Sequence, residues 1–161
     1  MIAIILWACD EPKPISYKKE TIEIPVPTQQ RHQYETCEQS LPPVLALHGF
    51  LAAGDTYLSM EDFFIRHGWC EGSFRVFDWN SLSQERFDTV QAIGDEIDAM
   101  REEYQSEKIV LVGHSAGGGL SLEYLDDSLN HEYIAGYIHL ASFPLATPPS
   151  IPMLNVYSSA D

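Results

Sequence analysis

Residues 113–117, Gly-His-Ser-Ala-Gly, place one serine between two glycines at the end of an apolar run. The apolar run before the motif and the amphipathic segment after it predict a sharp turn from a buried strand into a helix. In such a turn, side chains at Gly113 and Gly117 would collide with their surroundings, and their absence leaves the hydroxyl of Ser115 exposed. Free N–H groups at the helix N-terminus also favour negative charge there. The pattern is typical of a nucleophilic serine, and the alternative is a glycine-rich turn without chemistry.

A second motif, Leu-Ala-Leu-His-Gly-Phe at residues 45–50, would supply what the nucleophile needs. Acyl transfer requires backbone N–H groups that bind the oxyanion developing on the attacked carbonyl. We expect one donor at Ala116, directly after the nucleophile, and the other at Phe50, in the loop after an early strand. Gly49 would let the backbone approach the substrate closely. His48 is a candidate general base, but we interpret it as a structural ring that fixes this loop.

The elements that must position these residues alternate along the chain. Short apolar runs predict five strands, at residues 44–49, 74–79, 108–114, 133–142 and 152–161. Helical periodicity predicts three helices, at residues 55–68 with Asp55 as N-cap, 84–105 and 115–129. This alternation predicts an α/β domain with a mostly parallel sheet and helices on both faces. Functional residues of such sheets lie past the carboxyl ends of the strands.

Three motifs in combination resemble the α/β-hydrolase superfamily, and more narrowly small bacterial lipases and esterases of the minimal, lidless type. The motifs are His48-Gly49 followed by a hydrophobic residue, the serine motif at 113–117, and Tyr-Ser-Ser-Ala-Asp at 157–161. The resemblance covers about residues 42–161. It implies the α/β-hydrolase fold and carboxylic ester hydrolysis without a cofactor, and no spacing in the sequence indicates a metal site.

The triad of that family runs in the order Ser, Asp, His. The resemblance therefore implies Ser115 as nucleophile and Asp161 as the acid that orients the histidine, with Asp78 as the alternative acid. No histidine follows Asp161. We therefore expect the last strand, the last helix and the catalytic histidine to lie beyond residue 161, so that this fragment alone is inactive.

The histidines within the chain are poor substitutes for the missing base. His48 and His114 belong to the two motifs. The others are interpreted as core or solvated residues: His32, His67, His131 and His139.

The N-terminal residues resemble a signal for export and lipid attachment. Residues 6–9, Leu-Trp-Ala-Cys, resemble a bacterial lipobox, so that residues 1–9 would be a lipoprotein signal and Cys9 would carry the lipid. The alternative is a plain apolar N-terminus on a cytoplasmic protein. Residues 10–41 are interpreted as a tether with one edge strand, which ends at Pro25 and Pro27.

Two further cysteines, Cys37 and Cys70, precede the first strand and follow the first helix. Both would lie near the same sheet edge, where an exported protein could close a disulfide. A disulfide and two independent thiols both remain open.

The net charge of the chain disfavours two classes of binding partner. The net charge is −15, with only nine Lys and Arg, so binding to nucleic acid and to anionic lipid through a basic patch are both disfavoured. The expected partner is a small-molecule or lipid ester, with lipidated Cys9 as the only membrane tether. The predicted function is a serine carboxylester hydrolase. The alternatives are a thioesterase, amidase or acyltransferase of the same fold, or a degenerate, non-catalytic, lipid-anchored binding protein.

Overall fold

A five-stranded parallel sheet forms the centre of the computed structural model, which describes residues 37–83, 85–145 and 147–157. In chain order the strands are β1 (Val44–Leu47), β2 (Phe74–Phe77), β3 (Ile109–His114), β4 (Ile134–Leu140) and β5 (Met153–Val156). The helices are α1 (Leu58–Arg66), α2 (Arg86–Glu103) and α3 (Ala116–Asp126). Across the sheet the order is β2-β1-β3-β4-β5, and every pairing is parallel. The expected α/β class with a parallel sheet is confirmed.

The two faces of the sheet are covered by different helices. Because side chains of a strand alternate between faces, Leu45 and Leu47 of β1 pack on the side of α2 and α3. Val44 and Ala46 point to the other side, where they pack with Phe64 of α1. All four side chains of β1 are buried, which explains why the sequence of this strand is a continuous apolar run.

The boundaries of all three predicted helices differ from the sequence expectation, and the helix predicted over 84–105 spans Arg86–Glu103. The segment predicted as a helix over 55–68 begins with a 3-10 helix, Gly54–Tyr57, and Asp55 lies inside that turn instead of capping α1. The predicted helix over 115–129 ends at Asp126, because the Asp127 side chain accepts a hydrogen bond from the N–H of Leu129. That bond caps a second 3-10 helix, Ser128–Tyr133.

The predicted fifth strand also shortens. It spans Met153–Val156 in the structure, while the sequence predicted 152–161, and residues 158–161 lie outside the described residues. The signal at 1–9 and residues 10–36 of the tether, with its predicted edge strand, lie outside them as well.

Cys37 and Cys70 form a disulfide bond, and their Cα atoms are 4.8 Å apart. The bond ties the chain before β1 to the loop before β2. The same region is joined by a backbone hydrogen bond from the N–H of Val44 to the carbonyl of Ser73, at 2.8 Å. Of the two alternatives left open by the sequence, the structure contains the disulfide.

Within the described part of the chain, no helix combines the length and the apolar character needed to cross a membrane.

Candidate active site

Ser115 occupies the turn between β3 and α3 with an unusual backbone conformation. Its φ is 51° and its ψ is −118°, a combination that L-residues rarely adopt. Holding a non-glycine residue in such a conformation costs about 1–3 kcal/mol, and this strain is concentrated at functional sites. The turn places Ser115 past the carboxyl end of a central strand and directly before the N-terminus of α3, as the sequence motif predicts.

The two glycines that flank the turn stand where no side chain fits. A Cβ at Gly113 would lie 2.6 Å from the hydroxyl of Ser121. A Cβ at Gly117 would lie 2.6 Å from the carbonyl oxygen of His48 and would also overlap the carbonyl of Leu47. Backbone atoms at the end of β1 cannot move away cheaply, so the sharp turn needs glycine at this point.

The loop after β1 lies against the nucleophile. A Cβ at Gly49 would lie 3.2 Å from the Cβ of Ser115, so the His48-Gly49-Phe50 segment borders the turn. Among the described residues, the N–H groups of Phe50 and Ala116 donate to no protein acceptor. By contrast, the N–H of Leu51 donates to the hydroxyl of Ser81 at 2.9 Å. The two N–H groups named from the sequence are therefore available to bind an oxyanion.

The ring of His48 is fully buried, and both of its nitrogens are engaged in holding the loop. Its Nδ1–H donates to the carbonyl of Gly49 at 2.8 Å, and its Nε2 accepts from the N–H of Trp79 at 3.2 Å. The indole of Trp79 stacks on the ring and donates to the carbonyl of His48 at 3.1 Å. These contacts agree with the interpretation of His48 as a structural ring.

Asp78 competes for the same nitrogen. Its Oδ1 lies 3.1 Å from the Nε2 of His48, and its side chain is 71% exposed. Nε2 cannot both accept from the N–H of Trp79 and donate to Asp78, and the exposed carboxylate of Asp78 can bond to water instead. We therefore assign Nε2 as an acceptor. Asp78 follows the edge strand β2, and β1 separates that strand from β3 and Ser115.

The remaining described histidines contact other groups. His139 is buried, accepts from the hydroxyl of Tyr137 at 2.7 Å and donates from Nε2 to the carbonyl of Phe143 at 2.9 Å. The Nδ1 of His114 is buried without a hydrogen-bond partner among the described residues, and its ring meets Tyr57 edge-on.

His67 bonds the carbonyl of Phe63 in α1, and His131, in the second 3-10 helix, bonds the carbonyl of Leu125 in α3. No described histidine is hydrogen-bonded to the hydroxyl of Ser115. His32 and Asp161 lie outside the described residues.

Burial disfavours ionisation of two phenols near the turn. Tyr57 packs edge-on against the ring of His114, and desolvation raises its pKa to about 12. The buried hydroxyl of Tyr137 lies 3.3 Å from the carbonyl of Gly118, and desolvation raises its pKa above the ordinary value. Both groups are therefore neutral hydrogen-bonding groups at physiological pH and not proton-transfer groups.

One residue that contacts the backbone of Ser115 was not predicted from the sequence. The hydroxyl of Ser142 donates to the carbonyl of Ser115 at 2.6 Å, from the loop that follows β4. The N–H of Ser115 donates to the carbonyl of Leu140 at 3.0 Å. The only sequence signal for this contact is a serine placed just after an apolar strand.

Exposed apolar side chains occur on the loops at the same edge of the sheet. Phe50 and Leu51 follow β1, Leu82 follows β2 and Phe143 follows β4, and each is more than half exposed. No three His, Cys, Asp or Glu side chains are grouped to hold a metal ion among residues 37–83, 85–145 and 147–157.

Comparison with known proteins identifies the family of the chain. The model of the family described as alpha/beta hydrolase fold matches residues 42–158. A Bacillus licheniformis lipase shares 18% identity at a TM-score of 0.54, over 67% of this chain and 43% of that one. An Exiguobacterium antarcticum esterase shares 21% identity at a TM-score of 0.47, over 64% of this chain and 38% of that one.

A putative hydrolase from Agrobacterium vitis S4 shares 22% identity at a TM-score of 0.47, over 68% of this chain and 44% of that one. The chain thus spans less than half the length of each of these structures. Since the family match covers most of the chain and the sheet is parallel as expected, the resemblance to the α/β-hydrolase superfamily is confirmed: the chain belongs to the α/β-hydrolase fold family.

Proposed function

We propose that the protein containing this chain is a serine carboxylester hydrolase of the lipase or esterase type. The observation that carries the proposal is the strained backbone of Ser115, at φ 51°, together with the neighbouring N–H groups of Phe50 and Ala116, which have no protein acceptor in the part of the chain that the structure describes. Backbone strain of this kind is concentrated at functional sites, which supports a functional role for the Ser115 hydroxyl. A nearby pair of free backbone donors specifies that task as stabilising an oxyanion.

In the proposed mechanism, the hydroxyl oxygen of Ser115 attacks the ester carbonyl carbon. The N–H groups of Phe50 and Ala116 bind the resulting oxyanion while a histidine accepts the serine proton. The histidine then returns that proton to the leaving alcohol, and water hydrolyses the acyl-enzyme by the same route in reverse. We assign the histidine to sequence after residue 161, since no described histidine bonds to Ser115, and we assign Asp161 to orient it.

The exposed apolar side chains at the edge of the sheet that carries Ser115 favour esters with an apolar acyl group. Phe50, Leu82 and Phe143 are exposed at the edge of the sheet that carries Ser115. Transfer of an acyl chain from water onto such side chains is favourable by about 25 cal/mol for each Å² of apolar surface removed from water.

Replacing the nucleophile tests the proposal in the full-length natural protein. We expect wild type to hydrolyse p-nitrophenyl esters and to be labelled by a fluorophosphonate probe. Ser115→Ala should abolish labelling and lower kcat by several orders of magnitude, because catalytic residues act as a unit. Ser106→Ala, at a serine in the loop between α2 and β3, is the matched control and should retain full activity. Labelling that persists in Ser115→Ala would overturn the assignment.

A substrate panel separates ester hydrolysis from related acyl transfer. Matched butyryl ester, butyryl thioester and butyryl anilide substrates present the same acyl group to the same serine. We expect the highest kcat/KM for the ester. A higher value for the thioester or anilide would replace the esterase proposal by a thioesterase or amidase.

The acid and the base are tested separately. We expect Asp161→Asn to lower kcat by about 10⁴-fold, as loss of the orienting carboxylate does in other triads. Asp78→Asn should leave kcat nearly unchanged, since Asp78 contacts His48 and not the nucleophile turn. Sequencing the source DNA past codon 161 should reveal an open frame that encodes the histidine. The opposite ranking of the two Asp variants would make Asp78 the acid.

We also propose that the protein is exported and anchored by lipid on Cys9. Two features support this: the lipobox-like residues 6–9, and the Cys37–Cys70 disulfide, a bond that persists mainly in oxidising compartments. Mass spectrometry of protein from the source cell should find a diacylglyceryl group on an N-terminal Cys9, and Cys9→Ser should remain unlipidated. An intact, uncleaved Met1 would overturn this proposal.

A further inference from the structure

The carbonyl of Ser115 and the N–H of Ala116 belong to the same peptide group. A trans peptide is planar, so its C=O and N–H point in opposite directions and rotate together. Any contact that fixes the carbonyl of Ser115 therefore also fixes the direction of the N–H of Ala116. The hydroxyl of Ser142 makes such a contact, donating to this carbonyl at 2.6 Å.

We propose that Ser142 is a positioning residue that orients the oxyanion-binding N–H of Ala116 through the Ser115–Ala116 peptide. The inference rests on the proposed function, which makes this N–H one of the two oxyanion donors. Ser142 does not touch the substrate. Its hydroxyl acts on the far end of the peptide dipole, on the opposite side from the reacting oxygen.

The contacts made by α3 alone hold this peptide less firmly. The same carbonyl accepts from the N–H of Gly118 at 3.0 Å and of Gly119 at 3.4 Å. Both donors belong to the first turn of the helix, where hydrogen bonds fray most easily. The bond from Ser142 is shorter and comes from a different element, so it holds the peptide against rotation of the helix end.

The hydrogen bond from Ser142 also makes the N–H of Ala116 a stronger donor through polarisation of the peptide. A hydrogen bond accepted by the carbonyl polarises the peptide, and the N–H at the other end becomes a better donor. An oxyanion bound to Ala116 thus gains from Ser142 even though the two do not touch.

Ser142 is itself held on both sides. The N–H of Ala141 donates to the carbonyl of Val156 at 2.7 Å, and Ala141 has a positive φ of 40°. The carbonyl of Phe143 accepts from the buried ring of His139 at 2.9 Å. A Cβ at Gly118 would overlap the Ser142 side chain. Because Gly118 has no side chain, Ser142 can pack directly against α3. These contacts fix the hydroxyl before substrate binds, as a positioning role requires.

Ser121 offers a matched control for the experiment. Its fully buried hydroxyl donates to the carbonyl of Gly117 at 2.9 Å, so Ser121→Ala also removes one hydrogen bond from a serine to a carbonyl of the first turn of α3. The peptide it contacts does not contain the N–H of Ala116. The two variants, each lacking one hydrogen bond from a serine to a carbonyl of this turn, therefore differ in whether they release the oxyanion donor.

We expect Ser142→Ala in the full-length protein to lower kcat for a p-nitrophenyl ester by about tenfold to a hundredfold, less than the roughly hundred- to thousandfold loss for a deleted direct donor. KM should change by less than about threefold, because the oxyanion forms only after binding. Affinity for a trifluoromethyl ketone, which forms a tetrahedral adduct, should fall by the same factor as kcat. Ser121→Ala should change kcat by less than about threefold, at a comparable urea midpoint.

Equal kcat in the two variants would overturn the role of Ser142, as would a fall in kcat without a fall in ketone affinity. If Ser142→Ala does not fold, Ser142→Cys replaces the hydroxyl by a weakly donating thiol, and the same comparison with Ser121→Ala applies. Failure of the proposed function is distinguishable, since fluorophosphonate labelling would then persist in Ser115→Ala.

Discussion

Both backbone polar groups of Ser115 are held by the segment that ends β4. Its N–H donates to the carbonyl of Leu140, and its carbonyl accepts from the hydroxyl of Ser142. A hydrogen bond contributes about 1 kcal/mol net, so the two together offset backbone strain of about 1–3 kcal/mol. The turn thus depends on β4 as much as on the two elements that it joins.

The carbonyls at the end of β1 make Gly117 irreplaceable. We expect Gly117→Ala to destabilise the fold by about 1–3 kcal/mol or more, because the new Cβ would overlap the carbonyls of Leu47 and His48. Urea unfolding measures the change. Gly54→Ala is the control, since its Cβ would lie 3.7 Å from Val76, an ordinary contact, and should change stability by less than about 0.5 kcal/mol. Equal urea midpoints for the two variants would contradict the steric account.

Residues of the candidate site differ in how far the sequence predicts them. The positions of Ser115, Gly113 and Gly117 follow from a local steric rule, so the five-residue motif and the apolar and amphipathic segments beside it suffice to predict the turn. The contact of Ser142 joins residues 27 apart in sequence. It depends on how β4 pairs with β3 and on the backbone of Ala141 at φ 40°, which no local pattern indicates.

At the scale of elements, the type and order of strands and helices were predictable, whereas several ends were not. Hydrophobic patterning follows burial, and burial extends along the whole of β1 and over alternating or central positions of β3 and β4. Helix ends depend on single hydrogen bonds instead. Asp127 ends α3 by capping the next turn, and the start of the predicted helix at 55–68 becomes a 3-10 helix before α1.

The Cys37–Cys70 disulfide should contribute strongly to the stability of the elements that it joins. It links residues 33 apart in sequence. Closing a loop of that length lowers the entropy of the unfolded chain, which stabilises the folded state by about 3–4 kcal/mol at 25 °C. We therefore expect a reductant to lower the urea midpoint of the wild-type protein. The double variant Cys37→Ala/Cys70→Ala should start at the lowered midpoint and should not respond to reductant. A reduced protein, with its freed thiols titrated, that kept the oxidised midpoint would refute this expectation.

At the scale of the whole molecule, buried phenols lie in both apolar layers of the sheet. Tyr57 packs with the α1 layer, whereas Tyr124 and Tyr137 pack with the layer of α2 and α3. Desolvation by burial raises the pKa of Tyr57 and of Tyr124 to about 12, and the pKa of Tyr137 is raised for the same reason. Neither layer can therefore accept a phenolate cheaply, and the folded state opposes ionisation on both faces.

This burial predicts a loss of stability in alkaline solution. Below pH 10, the ordinary tyrosine pKa, the phenols are neutral in both the folded and the unfolded state. Their contribution to the free energy of unfolding is therefore constant there. Between pH 10 and about 12 the unfolded chain releases these protons while the folded protein retains them, so the free energy of unfolding falls as pH rises. Urea midpoints from pH 8 to pH 11, with phenolate absorbance at 295 nm, measure both quantities.

Lysine deprotonation changes stability over the same pH range, so the phenol contribution must be isolated by substitution. Tyr124→Phe removes one buried hydroxyl and keeps the ring in the core, and we expect its urea midpoint to fall less steeply above pH 10 than that of wild type. The two proteins share every lysine, and the difference in slope therefore belongs to the phenol. An identical dependence of the urea midpoint on pH in the two proteins would contradict this prediction. So would full phenolate absorbance in the folded protein at pH 11, because the buried phenols would then ionise inside the folded protein.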